Sequence, residues 1–338
     1  MPKTSSEPAT RCKRITLHGP TMGTRWSTTL DADDALDLAA LQRDLAAAVE
    51  QVDAQMSPWK PHSDLTRLNR APVGAWVDLP AELMEALDAA LDVHRLSAGA
   101  FNPCVGALVD AWGFGAVRDA PDAEAIRAAR RSSPIHALDA LTVDHQHGRA
   151  QKNAPLHVDL CGIAKGYAVD RMAEVLQRHG VRHALAALDG ELRALGGQAS
   201  GAPWAVAIER PEPGRRAVHG VVELDGLAVA TSGDYRRYLD IGGTRLAHTI
   251  DARRGAPVRN TVASVTVLAR TCMQADAWAT ALLVAGPADG LALAQRMRME
   301  VLYLLHSAEG LTTLGLGRFG TGADPSRAAG SPANVGPG

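Results

Sequence analysis

The 338-residue chain predicts an α+β fold, on three observations. Helical and strand-like segments follow one another without a regular strand–helix–strand period, hairpin-like strand pairs cluster in the second half, and no internal repeat occurs. A doubly wound parallel sheet would require the alternation that is missing.

Each element has a local cause. Residues 1–13 and the Gly/Ala/Pro/Ser-rich tail 321–338 bury too little apolar surface to offset chain entropy, so both are expected to be disordered. Residues 15–30, ITLHGPTMGTRWSTTL, alternate and carry β-branched side chains, which predicts a strand interrupted by a glycine turn. Residues 35–56 have helical periodicity ending before Pro58, and residues 79–99 form a second helix with a proline in its opening turn and Gly99 at its end. The turn-rich segments 56–69 and 97–115 are expected to be loops. LHVDL (156–160), GVRHALAAL (180–188), PWAVAIE (203–209), VVELDGLAVAT (221–231) and VASVTVLA (262–269) are strand-like. KGYAVDRMAEVLQRHG (165–180) and ADAWATALLVAG (275–286) supply two more helices.

Composition narrows the function. Hydrophobic residues at 46%, charged residues at 21% and a formal net charge of −2 describe an ordinary globular protein with no basic field for nucleic acid. Cys12, Cys104, Cys161 and Cys272 are far apart and form no CxxC pair, which argues against zinc. The N-terminus has no apolar export core, and no apolar run of about 18 residues occurs. The expectation is a protein without an integral membrane segment, cytoplasmic as the sequence stands and periplasmic if a leader was removed. GxGxxG, GxxxxGK[ST], HExxH and GxSxG are all missing, so any phosphate chemistry uses other parts. Length alone allows one large domain or two to three smaller ones.

Four regions could carry chemistry. Asp276 is followed four residues later by Thr280 in an otherwise apolar run; on a helix the two would lie roughly 5–6 Å apart on one face. Two hard oxygens there suit Mg²⁺, while the same aspartate would also serve as a helix N-cap. Asp159, Gly162 and Lys165 lie on a strand–turn–helix segment whose helix start could hold an anion, or Asp159 is a cap and Lys165 a snorkelling surface lysine. His248 precedes Asp251 by three residues and could act as base or donor, or it is a solvated strand-end histidine; Arg236, Arg237 and Arg253 could contact phosphates. Trp59, on a proline-flanked loop, could stack on a planar ring; core packing is the stronger reading for Phe101 and Trp112.

Taken in order, TMGTRW, MSPWKPHSDLTRLN, GAFNPCVGALVDAWGFG, DLCGIAKGYAVDRM, DGELRALG, TSGDYRRY, AHTIDARRGAPV and ADAWATAL resemble the ApbE family of FAD:protein FMN transferases, from about Gly19 to Gly317. The resemblance implies one domain over residues 14–320, of mixed sheet and helix, with FAD in a cleft between two lobes. It also implies that FMN passes from FAD to a Ser or Thr hydroxyl of a partner flavoprotein, with Mg²⁺ required and AMP released. By similarity, Asp276, Thr280 and the backbone carbonyl of Gly162 hold Mg²⁺. Met22, Trp59, Ala100, Phe101, Asn102, Asp159, Lys165 and His248 line the FAD site. His248 is the candidate for activating the acceptor hydroxyl with Asp251 orienting it, and Lys165 would neutralise charge developing on the pyrophosphate.

The chain departs from the family pattern at Trp59 (usually tyrosine), Asn102 (usually aspartate), Asp189 (usually the first of two glycines) and Arg254 (commonly threonine). Asp189 matters most, because a carboxylate beside FAD phosphates would repel them. Two other readings use the same residues: an FAD pyrophosphatase with water as acceptor, giving FMN and AMP, and an FAD-binding protein without turnover.

Overall fold

The computed structural model describes residues 12–132, 137–212, 214–215, 217–235, 238–241 and 244–320. Residues 1–11 and 321–338, expected to be disordered, and Arg236 and Arg237 lie outside them.

The first hairpin pairs β1 (Lys13–Thr21) with β2 (Thr24–Ala32), so strand structure begins at Lys13, inside the segment expected to be disordered. Helices α1 (Leu38–Met56) and α2 (Asp64–Arg70) follow, capped by the side chains of Asp37 and Ser63. Next come β3 (Trp76–Asp78), α3 (Ala81–Leu96), α4 (Gly106–Ala111), α5 (Ala123–Ser132), α6 (Ala137–Ala140), β4 (Leu141–Asp144) and β5 (Arg149–Lys152). Thus α2 and α4 are short helices inside segments expected to be loops.

The second half holds α7 (Ala164–Arg178), β6 (Ala184–Leu188), β7 (Glu191–Leu195), β8 (Trp204–Glu209), β9 (Val218–Leu224), β10 (Ala228–Gly233), β11 (Tyr238–Ile241), β12 (Thr244–Ala247), β13 (Ile250–Asp251), β14 (Ala256–Pro257) and β15 (Val262–Ala269). It closes with α8 (Cys272–Arg296), β16 (Glu300–Ser307) and β17 (Gly310–Leu316). Gly286 leaves helical conformation at φ 80° and ψ 178°, and Pro287 restarts the helix, so the sequence-expected end at Gly286 is a break within α8. VVELDGLAVAT divides between β9 and β10 around Gly226, at φ 64°.

LHVDL is not a strand. Its backbone groups bond elsewhere: Val158 exchanges two hydrogen bonds with the Asn69 side chain, the His157 carbonyl accepts from Gly106, and the Asp159 N–H donates to Pro103.

The main sheet has the order β1-β2-β6-β7-β10-β15-β16-β17, with every neighbouring pair antiparallel. Strand alternation sends Val301 and Tyr303 to the helical face with α1, α7 and α8, and Leu302 and Leu304 to the opposite face. There the β8–β9 hairpin covers the sheet with Trp204, Ile208, Val222 and Leu224. By length and composition α8 is apolar enough to cross a membrane, yet 61% of its most apolar window is buried in this core.

The registers also locate the site. Trp26 pairs with Leu188, Leu192 with Val229, and Gly233 with Ser264. The β1–β2 turn with Met22, the β6–β7 turn with Asp189, and the end of β10 with Ser232 therefore lie along one end of the sheet.

Candidate active site

Asp276 sits in the second turn of α8, 4% exposed. It does not cap its own helix, because the Thr271 hydroxyl does so by accepting from Gln274 N–H. Instead its Oδ2 accepts the Gly166 N–H of α7 at 3.0 Å. Glycine is needed there: a β-carbon at Gly166 would overlap the Cys272 carbonyl oxygen and lie 2.8 Å from the Asp276 β-carbon. Burial first, then the Glu191 charge, push the Asp276 carboxyl up to about 7.

Thr280, one turn on, places its hydroxyl 3.1 Å from that of Ser232. A β-carbon at Gly162 would lie 3.0 Å from Thr280 Oγ1 and 3.2 Å from the Phe101 ring, so the turn before α7 closes directly onto this threonine. Gly162, Asp276 and Thr280 are thus gathered around the start of α7, with Phe101 against the same turn. The set offers a carboxylate, a hydroxyl and a carbonyl, all hard oxygens. A buried carboxylate this reluctant to ionise is what a hard cation would relieve, so these residues fit Mg²⁺.

Lys165 is not a snorkelling lysine. Its Nζ lies 2.8 Å from Glu191 Oε1 and 3.5 Å from Asp189 Oδ2. Burial alone would lower its pKa, but Glu191, Asp276 and Asp189 together hold it raised, so the ammonium stays charged. Burial raises Glu191 in turn, against the pull of Lys165. The carboxylates of Glu191 and Asp276 therefore share one cation. Glu191 and Ser232 escaped assignment as site residues from the sequence; the signal available was a charged residue at an inward position of DGELRALG, followed by apolar partners.

Trp59 is 48% exposed and lines, with Asp159, a cavity of about 320 Å³. Asp159 accepts the Cys161 N–H at 2.7 Å and caps the local turn rather than α7; burial raises its pKa. Ala100, Phe101 and Asn102 are buried on the loop after α3, where Asn102 Oδ1 accepts the Cys104 N–H. Trp112 donates to the Gly255 carbonyl. His248 follows β12 and meets Phe114 edge-on, ring centroids 6.5 Å apart. Asp251 was expected to orient His248; its carboxylate instead accepts from the backbone and guanidinium of Arg253, at 2.9 to 3.1 Å. The adjacent, pre-organised guanidinium takes both oxygens. Met22 has φ 45°, an uncommon conformation for a side-chain-bearing residue, at the turn on the same sheet end.

The ApbE family model matches residues 22–303. The chain belongs to the ApbE family. It is 35% identical over 302 residues to the FAD:protein FMN transferase of Vibrio cholerae, covering 88% of this chain and 89% of that protein. The Escherichia coli K12 protein of the same name is 32% identical over 301 residues, covering 88% and 86%. Among solved structures, the flavin transferase ApbE from Vibrio cholerae superposes with a TM-score of 0.82 at 34% identity, over 91% of this chain and 98% of that one. The apo flavinyl transferase ApbE from Pseudomonas stutzeri gives 0.81 at 34%, over 95% and 98%. The expected α+β architecture is therefore the ApbE fold.

One departure from the ApbE pattern now has a structural account. Asp189 occupies φ 56° in the two-residue β6–β7 turn, a conformation glycine adopts freely and aspartate tolerates better than most residues. Its carboxylate is drawn to the Lys165 ammonium at 3.5 Å, the same cation that Glu191 holds at 2.8 Å.

Proposed function

We propose that this protein is an FAD:protein FMN transferase, moving FMN from FAD to a Ser or Thr hydroxyl of an acceptor flavoprotein and releasing AMP. The observation that carries the reading is the gathering of Gly162, Asp276 and Thr280 around the start of α7, where Lys165 is held charged by Glu191. In this reading the flavin lies against Trp59 and Asp159, and the pyrophosphate reaches from there to the start of α7. In the same reading, the cleft expected between two lobes runs along that path.

Asp276, Thr280 and the Gly162 carbonyl would hold Mg²⁺, which supplies neutralisation of the pyrophosphate oxygens. Lys165 places a second positive charge where negative charge grows as the bond breaks. His248 accepts the acceptor hydroxyl's proton. The acceptor oxygen forms a bond to the FMN-side phosphorus, and the bond from that phosphorus to the bridging oxygen breaks, so AMP leaves with that oxygen. Phe114 restrains the imidazole edge-on, and Asp251 acts through Arg253 by fixing the loop that follows His248.

His248→Ala tests this assignment. Expected is FAD binding within twofold of the parent protein, by flavin fluorescence, with transfer reduced at least a hundredfold, within the range of general base catalysis of roughly 10²–10⁴. Unimpaired transfer by the variant would move the base elsewhere.

A further inference from the structure

A second cavity, of about 440 Å³, opens beside the site just described and contains none of the residues assigned to FAD. Its walls include Asp234, Arg245, Ala247, Arg259, Asn260 and Leu283. Two facts tie it to the reaction centre. Asp276, Thr280 and Leu283 follow one another along one face of α8, so the cavity begins one turn beyond Thr280. Ala247 immediately precedes His248, and the strand behind it is tied to the cavity wall where Val258 N–H donates to the Thr249 carbonyl.

The two ends of that α8 face differ. The Asp276 end is closed by the α7 contact at Gly166 and Cys272. The Leu283 end is open and carries two arginines. Arg259 is exposed and pairs with no carboxylate among the described residues. Arg245 lies over the Tyr238 ring at 4.2 Å. Asp234 Oδ2 lies 3.1 Å from His306 Nε2. The cavity therefore carries both signs of charge, with Asp234 also attracting Arg245; a peptide matches both, with N–H donors for Asp234 and carboxylates for the arginines, whereas a pyrophosphate offers only negative charge.

We propose that this cavity docks the acceptor segment beside the modified hydroxyl, by receiving that segment's carboxylates on Arg245 and Arg259. The inference rests on the transferase reading above and adds where and by what chemistry the protein substrate is held. Approach from this end brings the hydroxyl to Thr280 and His248 without crossing the Trp59 cavity, so flavin donor and protein acceptor enter from different sides.

The test uses the full chain and two dye-labelled peptides, each with a central threonine, one flanked by aspartates and one by lysines. Fluorescence anisotropy reads docking, and mass spectrometry of the peptide with FAD and Mg²⁺ reads transfer separately. Expected is salt-sensitive binding of the aspartate peptide only, weakened at least tenfold in Arg245→Glu/Arg259→Glu, with FAD affinity within twofold of the parent. Equal binding by parent and variant, or no binding of the aspartate peptide, overturns the docking site and leaves the transferase reading standing. A parallel tenfold loss of FAD affinity overturns it by assigning the cavity to FAD. Charge-dependent docking without any FMN adduct keeps the docking site and counts against transfer.

Discussion

Asp170 and Asp276 cap each other's helices. Asp170, in α7, accepts the first two N–H groups of α8, from Cys272 at 2.8 Å and Met273 at 2.9 Å, while Asp276, in α8, accepts Gly166 N–H of α7 at 3.0 Å. The carboxylate proposed to hold the cation is thus oriented by the same contact that joins the two helices. Positioning of the site and integrity of the core share one set of bonds.

Gly166→Ala should separate these helices without removing a ligand. Alanine gains up to about 1 kcal/mol of helix propensity, but its β-carbon would overlap the Cys272 carbonyl. Overpacking typically costs about 1–3 kcal/mol. Expected is net destabilisation by urea unfolding, with Mg²⁺-dependent transfer falling more than tenfold. A variant as stable and active as the parent would show that the close approach is dispensable.

Asp170→Ala should destabilise strongly. It leaves two N–H groups of α8 uncapped and removes the buried partner of Arg193, whose Nη1 lies 2.6 Å from Asp170 Oδ1. Breaking one side of a buried pair costs about 3–5 kcal/mol. A loss below about 1 kcal/mol, in the range of a surface pair, would contradict the capping role.

The sequence disclosed the parts whose cause is local. Helical periodicity located α1, α3, α7 and the first half of α8, alternation located β1 and β2, and a strand-like run located β15. Lys165 and Asp276 were visible as charges in otherwise small or apolar runs. Glu191, Ser232 and the Asp170 cap were not, because each is defined by a partner at least 23 residues distant, as Arg193 is from Asp170. LHVDL misled for a related reason: its apolar pattern is that of a strand, but its bonds are satisfied by a loop and by Asn69. The Asp251–Arg253 pairing shows the converse, a near neighbour winning a carboxylate that function alone would give to His248.

Cation binding should be linked to protons at Asp276. Its carboxyl is raised from 3.8 to about 7, first by burial and then by Glu191. Without metal, the folded protein retains a proton that the unfolded chain releases at lower pH, so this group's contribution to stability falls as pH rises from about 4 to about 7. Mg²⁺ competes for the ionised form. Titration calorimetry should show affinity rising up to about tenfold per pH unit below pH 7 and levelling above it. Asp276→Asn should abolish both the Mg²⁺ response and this pH dependence. A flat affinity profile from about pH 5 to 8 would contradict the assignment.

Asp31 carries the opposite sign. Its pKa is lowered, chiefly by the Arg14 hydrogen bond and also by Ala199 N–H, which lies 2.9 Å from Oδ2. The stabilisation is present above the ordinary carboxyl value and is lost as pH falls through the lower folded value. Arg14 is half-exposed, which screens the pair. Asp31→Asn should therefore cost about 1–2 kcal/mol at neutral pH and little in strong acid, by urea unfolding at the two pH values. An equal loss at both would mean the pair contributes through packing alone.

Transfer of FMN to a protein hydroxyl leaves a covalent mark on the acceptor, which intact-mass spectrometry reads. A candidate acceptor flavoprotein domain is incubated with this protein, FAD and Mg²⁺, with EDTA in the control, and AMP and FMN are measured alongside. Expected is an acceptor carrying one FMN, formed only with Mg²⁺ and matched by released AMP. Free FMN and AMP with an unmodified acceptor, or FAD left intact throughout, would contradict it.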